Sequence, residues 1–137
     1  MNAKEYLSQV GKIQIRIKCL SEQIQFMRDA AESVSSVISD MPRPPARNIH
    51  RMENSVIRIV DLEDKLQAEF DRLNEINQTI SLLSDPVEQG VIIKRYLNHL
   101  RWDEIASDMD VSNRRALQIH QAALDSVDAI LPGAVGN

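Results

Sequence analysis

From Val87 to Val127 the chain reads VEQGVIIKRYLNHLRWDEIASDMDVSNRRALQIHQAALDSV, and apolar residues recur there at helical spacing three times over. Ile92, Ile93, Tyr96, Leu97 and Leu100 make the first set, and Trp102, Ile105, Ala106 and Met109 the second. Ala116, Ile119, Ala123, Leu124 and Val127 make the third. Steps of three and four residues place each set on one face of a helix, so three helices are predicted, the middle one short.

The joints between them are brief. Asn98 to Arg101 separates the first pair and Asp110-Val111-Ser112 the second, with Ser112 placed to cap the third helix. A helix of two turns cannot bury its own apolar stripe. Trp102, Ile105 and Met109 must therefore pack against both neighbours, with Val111 as a plug in the turn. This is the layout of a helix-turn-helix, in which a short second helix braces an exposed third one able to enter the major groove of DNA.

On the runs Arg95-Tyr96-Leu97, Trp102-Asp103-Glu104-Ile105-Ala106, Val111-Ser112, Gln118-Ile119 and Ala123-Leu124, residues 91 to 124 resemble the fourth region of bacterial sigma factors, the module that reads the upstream promoter element. Taken whole, the chain is similar to short proteins encoded by phages and prophages of Gram-positive bacteria, whose relatives include activators of phage late genes. The resemblance implies a sequence-specific transcriptional regulator that binds double-stranded DNA and, as sigma modules do, can contact RNA polymerase. Two positions depart from the sigma pattern. Arg101 stands where Ser or Thr usually caps the short helix, a lack that Asp103 and Glu104 partly offset through the helix dipole. Leu117 stands where a basic residue is common.

The side-chain chemistry of the third helix suits that role. Arg114 and Arg115 can bond guanine in two-pronged fashion or hold phosphates, while Asn113, Gln118 and Gln121 carry the donor and acceptor pairs that read adenine edges. Ser112 and the free N–H groups of the helix start can hold a phosphate, and Arg101 and Lys94 are candidates for the flanking backbone. From Asp85 onward, however, five basic residues face eight acidic ones, a balance of −3. DNA affinity must then come from a few placed arginines and be salt-sensitive. Two further readings of the same residues are an acidic protein-interaction module that contacts RNA polymerase with little DNA affinity, and a phage DNA-packaging recognition subunit.

The composition narrows the class. With 137 residues, 43% hydrophobic, 4% aromatic and four glycines, the chain suits an all-α domain with an extension rather than a β-sandwich or a Gly-rich nucleotide site. No apolar run approaches the roughly 20 residues of a membrane span, and MNAKEYLSQVGK lacks a signal-peptide core. A cytoplasmic protein without membrane contact is expected. Cys19 is the single cysteine, which forbids an internal disulfide and reads as a small buried or half-buried helix residue. His50, His99 and His120 have no carboxylate or cysteine at ligand spacing, and no phosphate loop or nucleophile elbow is present. No enzyme activity, metal or cofactor is expected.

Upstream, Ala3, Tyr6, Val10, Ile13, Ile17, Leu20, Ile24, Met27, Ala31, Val34 and Ile38 alternate steps of three and four, an unbroken heptad seam. Gly11 is a weak point in the helix interior, costing about 1 kcal/mol relative to Ala. Met41 to Asn48, with three prolines, is predicted to be a loop. A second long helix from about Ile49 to Leu83 carries Met52, Val56, Ile59, Leu62, Leu66, Phe70, Leu73, Ile76, Ile80 and Leu83, while Arg58, Asp61, Lys65, Glu69 and Arg72 fall off that stripe onto a solvated face. Asp85 as N-cap, Pro86 at the first position and Glu88 three residues on then open the next helix. The expected organisation is an antiparallel, coiled-coil-like helical hairpin over 1–84 that pairs two copies into a homodimer, a helix-turn-helix domain over 85–131, and a frayed tail over 132–137.

Overall fold

The computed structural model describes the backbone of residues 1–39 and 46–132 and the side chains of residues 1–32 and 53–132. Among the described residues the chain is all-α. Helix α1 spans Ala3–Ser39, α2 Ala46–Ser81, α3 Pro86–Ile92, α4 Trp102–Asp108 and α5 Asn113–Ile130, and a π-helical turn, Ile93–Leu97, prolongs α3. Of the expected loop, residues 41–45 lie outside the described residues. Ala46, Arg47 and Asn48 belong to α2, which starts three residues before Ile49 because Ala and Arg are strong helix formers. Of the expected tail, residues 133–137 also lie outside.

Two compact units make up the chain: Met1–Gln14 with Arg72–Asn137, and Ile15–Asp71. The division cuts across α1 and α2 rather than falling between Ser84 and Asp85.

In the unit of residues 15–71, Arg16 of α1 pairs with Glu69 of α2 at 3.8 Å, and Arg28 with Glu63. Along the α1 seam Ile24 is buried and Ile17, Leu20, Met27 and Ala31 are half-buried, while the side chains of Val34 and Ile38, like that of Met52 on α2, lie outside the described residues. Cys19, expected inside or half inside, is exposed. Along α2 the inward stripe is more regular than the apolar residues suggest. Ser55, Ile59, Leu62, Leu66, Glu69, Leu73, Ile76, Ile80 and Leu83 are buried or half-buried at alternating steps of four and three, with Glu63 and Thr79 half-buried beside that stripe. Val56 and Phe70, expected on the seam, are 56% and 40% exposed, whereas Glu69, expected in solvent, is 8% exposed. Register decides here: a seam of constant period has to accept the polar residue that falls on it.

Glu69 therefore sits in a heptad position where an aliphatic residue would pack. Glu69→Leu is expected to raise stability by about 1–4 kcal/mol, because it removes a desolvated carboxylate and leaves its Arg16 partner largely in water. An unchanged or lowered urea midpoint would contradict that expectation.

In the other unit, the first helical turns of α1 join the C-terminal elements. Asn2 caps α1, accepting from the Glu5 N–H at 2.9 Å, while the Ala3 N–H donates to the Asp128 carboxylate near the end of α5 at 2.6 Å. The Tyr6 and Thr79 hydroxyls bond at 3.0 Å. Ala3, Leu7, Val10 and Ile13 are buried, as are Ile76, Ile80 and Leu83 of α2 and its end, and Val91, Ile92, Ala123, Val127 and Leu131. Leu7 lies off the predicted seam yet has no exposed surface, so this end of α1 buries more than one stripe.

Candidate nucleic-acid interface

Asp85 caps α3 by accepting from the Val87 N–H, with Pro86 at the first helical position, where its missing N–H costs nothing. The π turn ends with the Asn98 N–H donating to the Ile93 carbonyl and the Leu100 N–H to the Lys94 carbonyl, both at 3.0 Å. His99 adopts a left-handed φ of 58° in that turn. Helix α4 then begins at Arg101, whose guanidinium has no acceptor to offer a cap. Glu104 does half of the capping instead, taking the Arg101 N–H at 3.2 Å.

The turn after α4 is tight. The Val111 N–H donates to the Ala106 carbonyl at 3.0 Å and the Asp110 N–H to the Ser107 carbonyl at 3.3 Å, the paired bonds of a Schellman motif, with Asp110 left-handed at φ 55°. Val111, Leu100, Trp102 and Met109 pack against a core of Val91, Ile105, Ala106, Ala116 and Ile119. Helices α3 and α4 both rest on α5. Ser112 caps α5, its hydroxyl accepting from the Arg115 N–H at 3.1 Å.

With α5 held this way, Arg114, Gln118, Gln121 and Asp125 follow one another at steps of four, three and four along its exposed side. Asn113 and Leu117 lie on one flank, Leu117 being 46% exposed, and Arg115 on the other. Among the described residues, Asn113 and Arg114 use their side chains in no hydrogen bond or ion pair. The rest are engaged more or less firmly: Arg115 donates to Gln118 at 3.5 Å and Gln121 to Asp125 at 3.2 Å. Beside Arg115, Asp85 and Glu88 line a cleft of about 230 Å³ together with Gln118 and Ala122, an acidic wall that would repel a phosphate on that flank. Arg101 and Lys94 are not brought onto α5. Arg101 is held by Asp103 at 3.5 Å and Glu104 at 3.2 Å, and Lys94 by Asp108 at 3.5 Å. Exposed pairs of this kind contribute little to stability, but they partly neutralise the cations a phosphate would need.

Sequence reasoning missed an aromatic cluster behind α5. His120 lies between Tyr96, whose hydroxyl is 2.8 Å from Nε2, and Trp102, which meets the imidazole edge-on at 4.7 Å. The Arg95 guanidinium lies 4.8 Å over the Trp102 ring, within cation–π range. These residues are joined by contacts across turns, and no helical period signals them. Burial lowers the His120 pKa below the ordinary 6.5, helped by the positive charges of Arg95 and Lys4, which favours the neutral ring beside the phenol. Burial raises the Tyr96 pKa, with Arg95 acting the other way.

A depressed histidine pKa ties stability to pH with a definite sign. As pH falls through 6.5 the unfolded chain takes up a proton that the folded one resists, so this contribution is present above 6.5 and is lost below it. Between about pH 8 and pH 5 the urea midpoint of the parent is expected to fall further than that of His120→Gln, which can still accept from Tyr96. Parallel pH profiles for the two proteins would contradict this.

No group of three or more His, Cys, Asp or Glu among the described residues is placed to hold a metal ion, and no described helix is long and apolar enough to cross a membrane. Comparisons with protein-family models, curated proteins and solved structures find no match to this chain.

Proposed function

We propose that this chain is a sequence-specific DNA-binding transcriptional regulator of the phage or prophage type, in which α4 and α5 act as a sigma-like helix-turn-helix and α5 reads the major groove. One observation carries the reading: a short helix and a longer one, joined by a Schellman turn and plugged by Val111 over a shared core, leave Arg114, Gln118 and Gln121 exposed in line. Base reading needs such a row of donors and acceptors on a braced helix.

In the same reading α1 and α2 form a helical hairpin that pairs two copies. Val56, Ile57, Val60 and Phe70 on α2, with Ile15 and Phe26 on α1, are large apolar residues left exposed, and a homodimer would give such residues a partner and supply two reading helices. The test is a gel-shift titration of the purified protein against fragments of its own genomic neighbourhood, at low and near-physiological salt, with the mass in solution measured alongside. Retention of one fragment at sub-micromolar protein supports the regulator. If no fragment shifts even at low salt, the reading fails.

A second reading has its own support. Acidic residues on α3 and α4 engage Lys94 and Arg101 and line the Arg115 flank, which favours a surface that meets a basic protein partner such as RNA polymerase, with little DNA affinity.

A further inference from the structure

On the far side of the aromatic cluster, Leu7, Ser8 and Gly11 of α1 face Arg95, Tyr96 and His99 across a half-open cleft of about 360 Å³, within the size range of small-molecule sites. The lining is lopsided in charge. It contains a guanidinium, an imidazole, a phenol and a hydroxyl, and no carboxylate.

The backbone is arranged to place these groups. Arg95 and Tyr96 stand on the π turn, and His99 on a left-handed residue. Irregular backbone of both kinds concentrates at functional sites. Gly11 lies against the His99 ring, where a Cβ would make ordinary contact at 3.4 Å.

The Arg95 guanidinium has donors to spare. Arg95 gives one N–H to the Leu100 carbonyl at 2.9 Å and lies over Trp102. Among the described residues it forms no ion pair, unlike Lys94 and Arg101 of the same unit. The His99 Nε2 bonds to Gln14, which fixes the ring at the cleft wall.

We infer that this cleft binds a small oxyanion, a phosphate- or carboxylate-bearing molecule, through the Arg95 guanidinium, with the His99 ring as its wall. The inference does not depend on α5 reading DNA. A guanidinium placed over an indole and tied by one N–H to the Leu100 carbonyl leaves its other donors for an oxyanion, which suits two-pronged recognition.

The chain carries a single tryptophan, and it is the ring beneath Arg95, so occupancy has a built-in reporter. Inorganic phosphate is titrated into the full-length protein at constant ionic strength while Trp102 emission is followed, and the thermal midpoint is measured at each concentration. A saturable change in emission with a rising midpoint is expected. Arg95→Gln should weaken the titration about tenfold or more, the usual loss for a charge-assisted bond.

Because Arg95→Gln also disturbs the stack on Trp102, His99→Gly serves as the second variant. It suits the left-handed backbone, leaves the stack intact and should still weaken binding several-fold. Arg58→Ala, at an exposed position of α2, should titrate as the parent does. A response that never saturates, or one unchanged in both Arg95→Gln and His99→Gly, overturns the site. If a DNA duplex alters Trp102 emission while phosphate does not, the oxyanion comes from a nucleic-acid backbone and the small-molecule site is likewise overturned.

Discussion

Leu7→Ala is expected to destabilise the unit that carries α5 by about 2–5 kcal/mol, although the two are more than a hundred residues apart in the chain. Leu7 is fully buried and stands among the α1 residues that join the C-terminal elements. Truncation removes its transfer free energy and leaves a void that the helices around it can only partly close. Trp102 emission during urea unfolding reports the loss, because Trp102 packs within the same unit. Leu82→Ala is the control: that side chain is exposed, and the change should stay within about 0.5 kcal/mol. Equal effects for the two variants would mean that the first turns of α1 are not part of that core. It follows that a fragment beginning at Asp85 should be far less stable than the whole chain.

Arg114→Ala carries the largest expected effect on recognition, a loss of about 1–3 kcal/mol in binding to the preferred site, or roughly five- to 150-fold. Arg114 is exposed on the centre line of α5 and its side chain has no partner among the described residues, so it brings its full charge and its donors to a ligand. Arg101 does not, since Asp103 and Glu104 share its guanidinium. Arg101→Ala should accordingly change affinity much less and mainly flatten the dependence on salt. The measurement is a titration of the retained fragment with each variant. Arg114→Ala binding every fragment as tightly as the parent would remove α5 from the reading surface.

The C-terminal elements were legible because their signals are local. Asp85-Pro86, Ser112 and the three apolar sets are each contained in a few residues, and caps and periods act over that range. The seam of α2 was legible only in part. Val56 and Phe70 are more apolar than Ser55 and Glu69, and a reading by hydrophobicity selects them, whereas a constant heptad period selects their neighbours. Glu69 was hidden because a seam of constant period takes whatever residue falls on it, and its partner Arg16 stands on another helix. The candidate site divides the same way. Helical period places Arg114, Gln118 and Gln121 in line, but the Arg95, Trp102 and His120 cluster and the engagement of Lys94 by Asp108 arise across turns, where spacing carries no information. The burial of Leu7 and the composition of the two units were beyond reach for the same reason, since α1 shows one stripe in sequence and buries more.

The bond from the Ala3 N–H to Asp128 spans 125 positions of the chain, and it sets an order of events during synthesis. Residues 15–71 form a unit that is contiguous in sequence, so its contacts can close as soon as α2 has emerged. The unit around α5 is built from both sides of that insert. Its Ala3 end must wait until translation has passed Asp128, although Tyr6 can meet Thr79 earlier. Closing so large a loop is slow compared with forming local contacts. A nascent chain halted before Asp128 therefore presents the contiguous unit complete and the other unit unfinished, the kind of intermediate on which chaperones act.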